Sequence, residues 1–357
     1  MRLEKRAQVS QAMLWGSPIL AVLLTLVAGA LLFVVMGYDP FASLRAFFVS
    51  PINSTYGLSE LAVKASPLVL IATGLAVGFR AGVWNIGAEG QLTLGAIAGG
   101  GVALLFWGME GPWILPLMCL AAIGGGMAWA AIPAFLRVRL GVSEILVSLM
   151  LAYVALLLLS ALVYGPWKNP EAFNFPETRV FSDSALLPII LPGTRLHLGV
   201  AVTVVVVLLA WFFMTRTLFG YQVRVVGAAP AAARYAGFSR DRMVWISLLA
   251  SGGLAGLAGL FEVAGPVGGQ LLPTISPGYG FTAIIVAFLG RLNPLGILLA
   301  GLVVALSYLG GENAQIEVGL PQAVTGVFQG MLLFFLLATD VLVRYRVRFG
   351  APRLAGA

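Results

Sequence analysis

The chain has 357 residues, of which 60% are hydrophobic and only 10% charged. A soluble domain carries about 25% charged residues, so this chain has too little polar surface to cover itself in water, which excludes a soluble enzyme or binding module. The formal net charge of +7 would suit a nucleic acid polymer, but the basic residues sit in short loops between apolar runs, a pattern of membrane topology. The sequence predicts an all-α polytopic membrane protein. It reads as a single transmembrane domain over 1–357, with about ten transmembrane segments, some of them discontinuous.

In chain order, the first span is 17–36, preceded by Arg2, Lys5 and Arg6 and read as retained rather than cleaved. A turn-rich stretch, 37–59, leads to the second span, 60–79, which ends at Arg80. The third covers 92–107, the fourth 113–136 (ending at Arg137 and Arg139) and the fifth 143–164. An external loop rich in Pro, Asn and aromatic residues follows over 165–196. The sixth span, 197–213, leads into a basic cytoplasmic loop, 214–242, and the seventh is 243–264. Residues 265–280 carry Gly and Pro with no charge. A short segment, 281–290, and the spans 294–310 and 321–341 complete the series. Of the 21 Lys and Arg, only Arg45, Lys64, Lys168, Arg179 and Arg195 fall outside; Arg344, Arg346, Arg348 and Arg353 fall inside. That asymmetry puts both termini in the cytoplasm.

Three stretches stand out. The loop 214–242 contains a complete short-helix signature: Pro230 suits the first helical position, AAARY supplies helix formers and Gly237 suits the residue past the end. A helix of about two turns does not stand alone in water, so it packs on something. It is either an ordinary arginine-rich loop that orients the chain or a docking helix gripped by a cytoplasmic partner. The second stretch, 74–101, sets Arg80, Asn85, Glu89 and Gln91 among glycines. It is either a structured re-entry lining a path, since polar backbone at membrane depth needs protein or water around it, or a tight, wet turn. The third, 276–301, places a breaker cluster before a short apolar helix and an RLNP turn. That suits a discontinuous helix beside a substrate path, or a loop and an ordinary hairpin.

Glu262 and Glu144 lie near span ends, where a carboxylate is either hydrated or an ion-coupling site. His197 opens the sixth span as an interfacial residue, and most tryptophans sit at span ends as interfacial anchors. One cysteine and one histidine are too few for a protein-only zinc site or an intrachain disulfide. None of the three lysines stands in a GxxxxGK[ST] context, and no Ser/His/Asp set or Cys/His cluster is present. Energy for pumping therefore comes from an ion gradient or from a partner.

With NIGAEGQ (85–91), VVGAAPAAARYAG (225–237) and GYGFTAIIVAFLGRLNPLG (278–296) in view, the chain resembles the membrane subunits of bacterial ABC importers of the branched-chain amino acid and ribose type. Within them it is most similar to the nucleoside permeases that work with basic-membrane-protein lipoproteins. The likeness covers roughly 60–340, with Ala283 and Leu292 standing where smaller or more polar residues are expected. The resemblance implies a multi-pass permease of the bacterial cytoplasmic membrane that moves a nucleoside or related sugar-type solute inward. It implies that a coupling helix, with Gly227, Pro230, Ala233, Arg234, Tyr235 and Gly237, seats in a cytoplasmic ABC ATPase. It further implies a second permease, a different chain, and an extracytoplasmic substrate-binding lipoprotein or protein. ATP would be bound by the partner subunits, with no cofactor in this chain. Asn85, Glu89, Gln91, Tyr279 and Phe281 are assigned to the substrate path. The competing reading is an ion-coupled secondary transporter using Glu262 or Glu89 without an ATPase; a membrane-embedded enzyme is disfavoured because the residues for chemistry are missing.

Overall fold

The computed structural model describes residues 2–5, 11–265 and 268–348; Arg6 and Arg353 lie outside the described residues. The chain divides into two compact units, Met1–Pro51 with Leu306–Ala357, and Ile52–Ala305.

The first unit begins with strand β1 (Arg2–Lys5) and helix α1 (Gln11–Val35), followed by the short α2 (Pro40–Phe48). Asp39 starts α2 by accepting from the amides of Phe41 and Ala42, with Pro40 at the first position, where a missing N–H costs nothing. The second unit holds α3 (Thr55–Arg80), α4 (Ala88–Leu105), α5 (Ile114–Leu140), α6 (Glu144–Tyr164), α7 (Leu198–Arg216), α8 (Leu218–Ala228), α9 (Pro230–Tyr235), α10 (Arg240–Val263) and α11 (Tyr279–Leu289). Helix α12 (Pro294–Val318) starts in the second unit and ends in the first, where α13 (Ala323–Arg344) and β2 (Tyr345–Arg348) follow.

A helix stands at each of the ten positions where the sequence predicts a span. Seven of the described helices are long and apolar enough to cross a membrane: α1, α3, α5, α6, α7, α10 and α12. Helix α11 is short and follows a non-helical run over 268–278. Three features were not expected from composition, the first being helix α2 within the stretch 37–59 read as turn-rich. Strands β1 and β2 pair antiparallel, with Arg2 opposite Arg348 and Lys5 opposite Tyr345, and they form the one two-stranded ribbon among the described residues. Helix α8 also precedes α9 inside the basic loop.

In the first unit α1 lies along α13. Its core closes around Phe328, whose ring stacks on Phe33 at 5.5 Å and on Phe47 at 4.7 Å.

In the second unit α3 and α10 are interior helices, with 83% and 72% of their most apolar windows buried, against 22–28% for α5, α6 and α7. The outer three expose Leu120, Leu146, Leu157, Val205, Leu208 and Phe212, side chains suited to lipid. Lipid tails are as apolar as leucine, so helices associate in a membrane through close van der Waals packing rather than hydrophobic drive. Helix α10 does this with glycines. A Cβ at Gly256 would stand 2.2 Å from the Ala122 carbonyl oxygen of α5, one at Gly126 2.0 Å from the Gly252 oxygen, and one at Gly259 2.1 Å from the Leu92 oxygen of α4. The backbones of α4, α5 and α10 therefore touch.

The segment between α6 and α7 is laid over the end of α10. Leu187 donates to the Ala264 carbonyl at 3.0 Å, Thr178 to Leu271 at 3.1 Å, and Leu271 back to the Thr178 hydroxyl at 2.9 Å. Arg195 grips Glu60 of α3 with two nitrogens, one at 2.9 Å, and this pairing holds the guanidinium above its ordinary pKa. His197 is buried at the start of α7, against Phe261.

Candidate functional site

Two clusters gather the residues that the sequence singled out. The first forms where the chain leaves α3. Residues 83–87 are non-helical, and α4 begins at Ala88. Asn85 and Gln91 exchange amide hydrogen bonds: Asn85 Nδ2 donates to Gln91 Oε1 at 2.8 Å, and Gln91 Nε2 donates to Asn85 Oδ1 at 3.1 Å. Asn85 also donates to Ser251 Oγ of α10 at 2.9 Å and accepts from the Gly87 amide at 3.0 Å. Ser148 of α6 takes the Ile86 amide at 3.2 Å. Asn85, Glu89 and Gln91 are each buried, and none of them is a wet turn residue. A buried amide without partners costs about 1–3 kcal/mol, so the mutual pairing is what allows this polar knot among apolar helices.

Glu89 lies in the first turn of α4, and its Oε2 accepts from the Gly280 amide at 2.6 Å, in the first turn of α11. The carboxylate therefore faces the positive ends of two helices at once. The two helix starts meet closely: a Cβ at Gly280 would stand 2.2 Å from the Glu89 nitrogen. Gly278, at φ +95°, turns the chain into α11, and Ser276 Oγ accepts from the Gly278 and Tyr279 amides at 3.1 and 2.9 Å. Of the predicted path residues, the structure brings Asn85, Glu89 and Gln91 together with the backbone beside a fully buried Tyr279. Phe281 stands apart, with its ring partly exposed.

The second cluster is the basic loop. Helix α9 runs from Pro230 to Tyr235, and Gly237 follows at φ +77°, the left-handed stop that its position in the sequence suggests. Ala233 is 2% exposed, and Tyr235 is 97% exposed. The helix thus sits on the unit by one face and holds Arg234 and Tyr235 in the open. Ala233 packs in a core with Ala81, Val83, Val223 and Val226. Gly227, near the end of α8, presses on the end of α3: a Cβ there would stand 1.9 Å from the Arg80 carbonyl oxygen. Because residues 80–83 lead straight into Asn85, the exposed helix and the buried polar knot share one short stretch of backbone.

Sequence reasoning missed Ser251, which accepts from Asn85, Ser148, which takes the Ile86 amide, and Ser276, which takes the amides at the start of α11. Ser251 had a signal, standing beside the glycine series of α10 that marks its packed face. Among the described residues no group of three or more His, Cys, Asp or Glu is arranged to hold a metal.

A family model described as branched-chain amino acid transport system / permease component matches residues 57–337. The chain is 38% identical to the glucose ABC transporter permease protein TsgB13 of Haloferax volcanii, over 99% of this chain and 95% of that one. It is 31% identical to the guanosine ABC transporter permease protein NupP of Bacillus subtilis, over 94% and 95%. To the nucleoside ABC transporter permease protein NupB of Lactococcus lactis subsp. cremoris it is 28% identical, over 89% of each. No solved structure matches.

Proposed function

The chain belongs to the family of branched-chain amino acid transport system permease components, and from that membership we propose that it imports a nucleoside or related sugar-type solute as part of an ATP-binding cassette transporter. It is a multi-pass membrane transport subunit rather than an enzyme. The observation that carries the solute class is near full-length similarity to permeases named for glucose and guanosine, both of which present sugar hydroxyls. Relatives from an archaeon and from bacteria leave the host's kingdom open, so the membrane is assigned as a cytoplasmic one without further detail.

In this reading about ten segments cross the membrane, some of them discontinuous, and both termini lie in the cytoplasm. The pairing of β1 with β2 supports that placement, because it keeps the two ends on one side. The loop 214–242 is cytoplasmic and 165–196 external. Helix α9 is the coupling helix: Arg234 and Tyr235 meet a partner ATPase, which binds the ATP, while Ala233, Pro230, Gly227 and Gly237 seat and shape the helix. A second permease, a different chain, completes the pathway, and an extracytoplasmic binding protein delivers solute. A partner shifts a two-state bundle only by the difference in its affinity for the two states, so the ATPase must meet α9 differently when open and closed. The Gly227 contact passes that difference to residues 80–83 and on to Asn85, Gln91 and Glu89. These three, with Tyr279 and Phe281, form the substrate path, where the amides and carboxylate exchange internal partners for solute hydroxyls.

Two variants test the docking role. Arg234→Glu reverses the exposed charge on α9, and Gly237→Pro forces a φ of +77° toward about −65°. Both are expected to abolish ATP-driven uptake while membrane insertion, read by fractionation, stays at the wild-type level. Normal uptake by both variants rules out α9 as the coupling element.

A further inference from the structure

The C-terminal half of α4 and the segment after α6 line an open trough of about 700 Å³ that the transport reading leaves unused. Its aliphatic lining comes from Ile97, Val102 and Leu105 of α4. Two indoles wall it, Trp107 just past α4 and Trp167 just past α6. Gly101 makes the room: a Cβ there would stand 3.1 Å from the Trp167 ring. Lys168 and Arg179 stand among the lining residues, which include no carboxylate. The Arg179 guanidinium lies 4.8 Å from the centre of the Trp107 ring, and the Lys168 ammonium donates to the neutral Asn174 side chain. Neither cation is in an ion pair among the described residues.

Two cations that form no ion pair among the described residues, at an aliphatic trough lined by no carboxylate, call for a ligand with an anionic head and a hydrocarbon body. An uncharged polyhydroxyl solute has no use for both charges and gains little from Ile97, Val102 and Leu105. The tryptophans fix the depth, since indoles past the ends of two apolar helices sit at headgroup level. We propose that this cavity is a binding site for an anionic phospholipid. Lys168 and Arg179 hold the phosphate, the indoles flank the glycerol, and the upper part of one acyl chain runs along α4.

The test is native mass spectrometry of the full chain, titrated with phosphatidylglycerol and with phosphatidylcholine of the same acyl composition. Phosphatidylglycerol is expected to bind more tightly. The double variant K168Q/R179Q should weaken it by roughly tenfold or more while leaving phosphatidylcholine unchanged, since each basic residue near a headgroup contributes a sizeable electrostatic share. Gly101→Leu, which keeps both charges but fills the trough, should weaken both lipids. Equal binding of the two lipids, or phosphatidylglycerol binding that K168Q/R179Q does not change, overturns the proposal. So does displacement by millimolar glycerol 3-phosphate, which would assign the site to a soluble phosphate, or by guanosine or glucose, which would assign it to the solute. None of these readouts depends on transport, so the site stands or falls separately from the importer reading.

Discussion

Gly227→Val is expected to lower ATP-driven uptake by about tenfold or more while ATP hydrolysis by the assembled complex continues, because couplings between sites of about 1–3 kcal/mol set ratios of that order. The first atom of the new side chain would stand 1.9 Å from the Arg80 carbonyl oxygen, where no real contact exists. Both partners are backbone, so no side chain can rotate away. Residues 80–83 and the end of α8 must separate, and the core that holds Ala233 with Ala81 and Val83 loosens with them. Helix α9 would still present Arg234 and Tyr235, so an ATPase could dock and turn over. The displacement would no longer reach Asn85. Measuring uptake and hydrolysis on the same vesicles separates this outcome from failed assembly. Wild-type uptake by Gly227→Val would show that the contact carries nothing.

Gly256→Leu should have the largest effect on stability. Its Cβ would meet the Ala122 carbonyl oxygen at 2.2 Å and the Gly126 Cα at 3.1 Å, at the centre of the α5–α10 interface. Overpacking costs about 1–3 kcal/mol where neighbours can adjust, and here the neighbours are helix backbone, so the cost lies at or above the top of that range. The expected result is a large fall in thermal midpoint in detergent and poor recovery of folded protein. Gly124→Leu in the same α5 is the control: a Cβ there meets nothing within 4 Å, so its midpoint should stay near that of the wild type. Equal midpoints for both variants would mean that close backbone approach does not hold these helices together.

The positions of the ten apolar helices were legible in the sequence because each apolar run is bounded by charge, Gly or Pro, whereas α2 and α8 were not. Pro230 and Gly237 bracket α9 within a residue or two, for the reason that fixed φ suits a helix start and free φ suits its end. Partner choice was not legible. Nothing local in Asn85 names Gln91 and Ser251 as its partners, because side-chain pairing across three helices depends on how α3, α4 and α10 pack. The glycines of α10 do not by themselves name the backbone they touch, which the folded unit shows to be that of α4 and α5. The contact of Gly227 with Arg80 joins residues 147 positions apart in the chain, and only the folded unit shows it. The ribbon of β1 and β2 was missed because each strand is four residues long, too short for alternation to stand out.

As a transport subunit without an ATPase of its own, this chain is expected to move solute only when a partner ATPase drives it. The most direct measurement is uptake of labelled guanosine and glucose into proteoliposomes, comparing the chain alone under a proton or sodium gradient with the chain co-purified with its partners and supplied with ATP. The account predicts uptake only by the assembled complex, dependent on ATP and indifferent to the gradient. Uptake by the chain alone under a gradient, without ATP, would contradict it and make Glu262 and Glu89 the coupling residues.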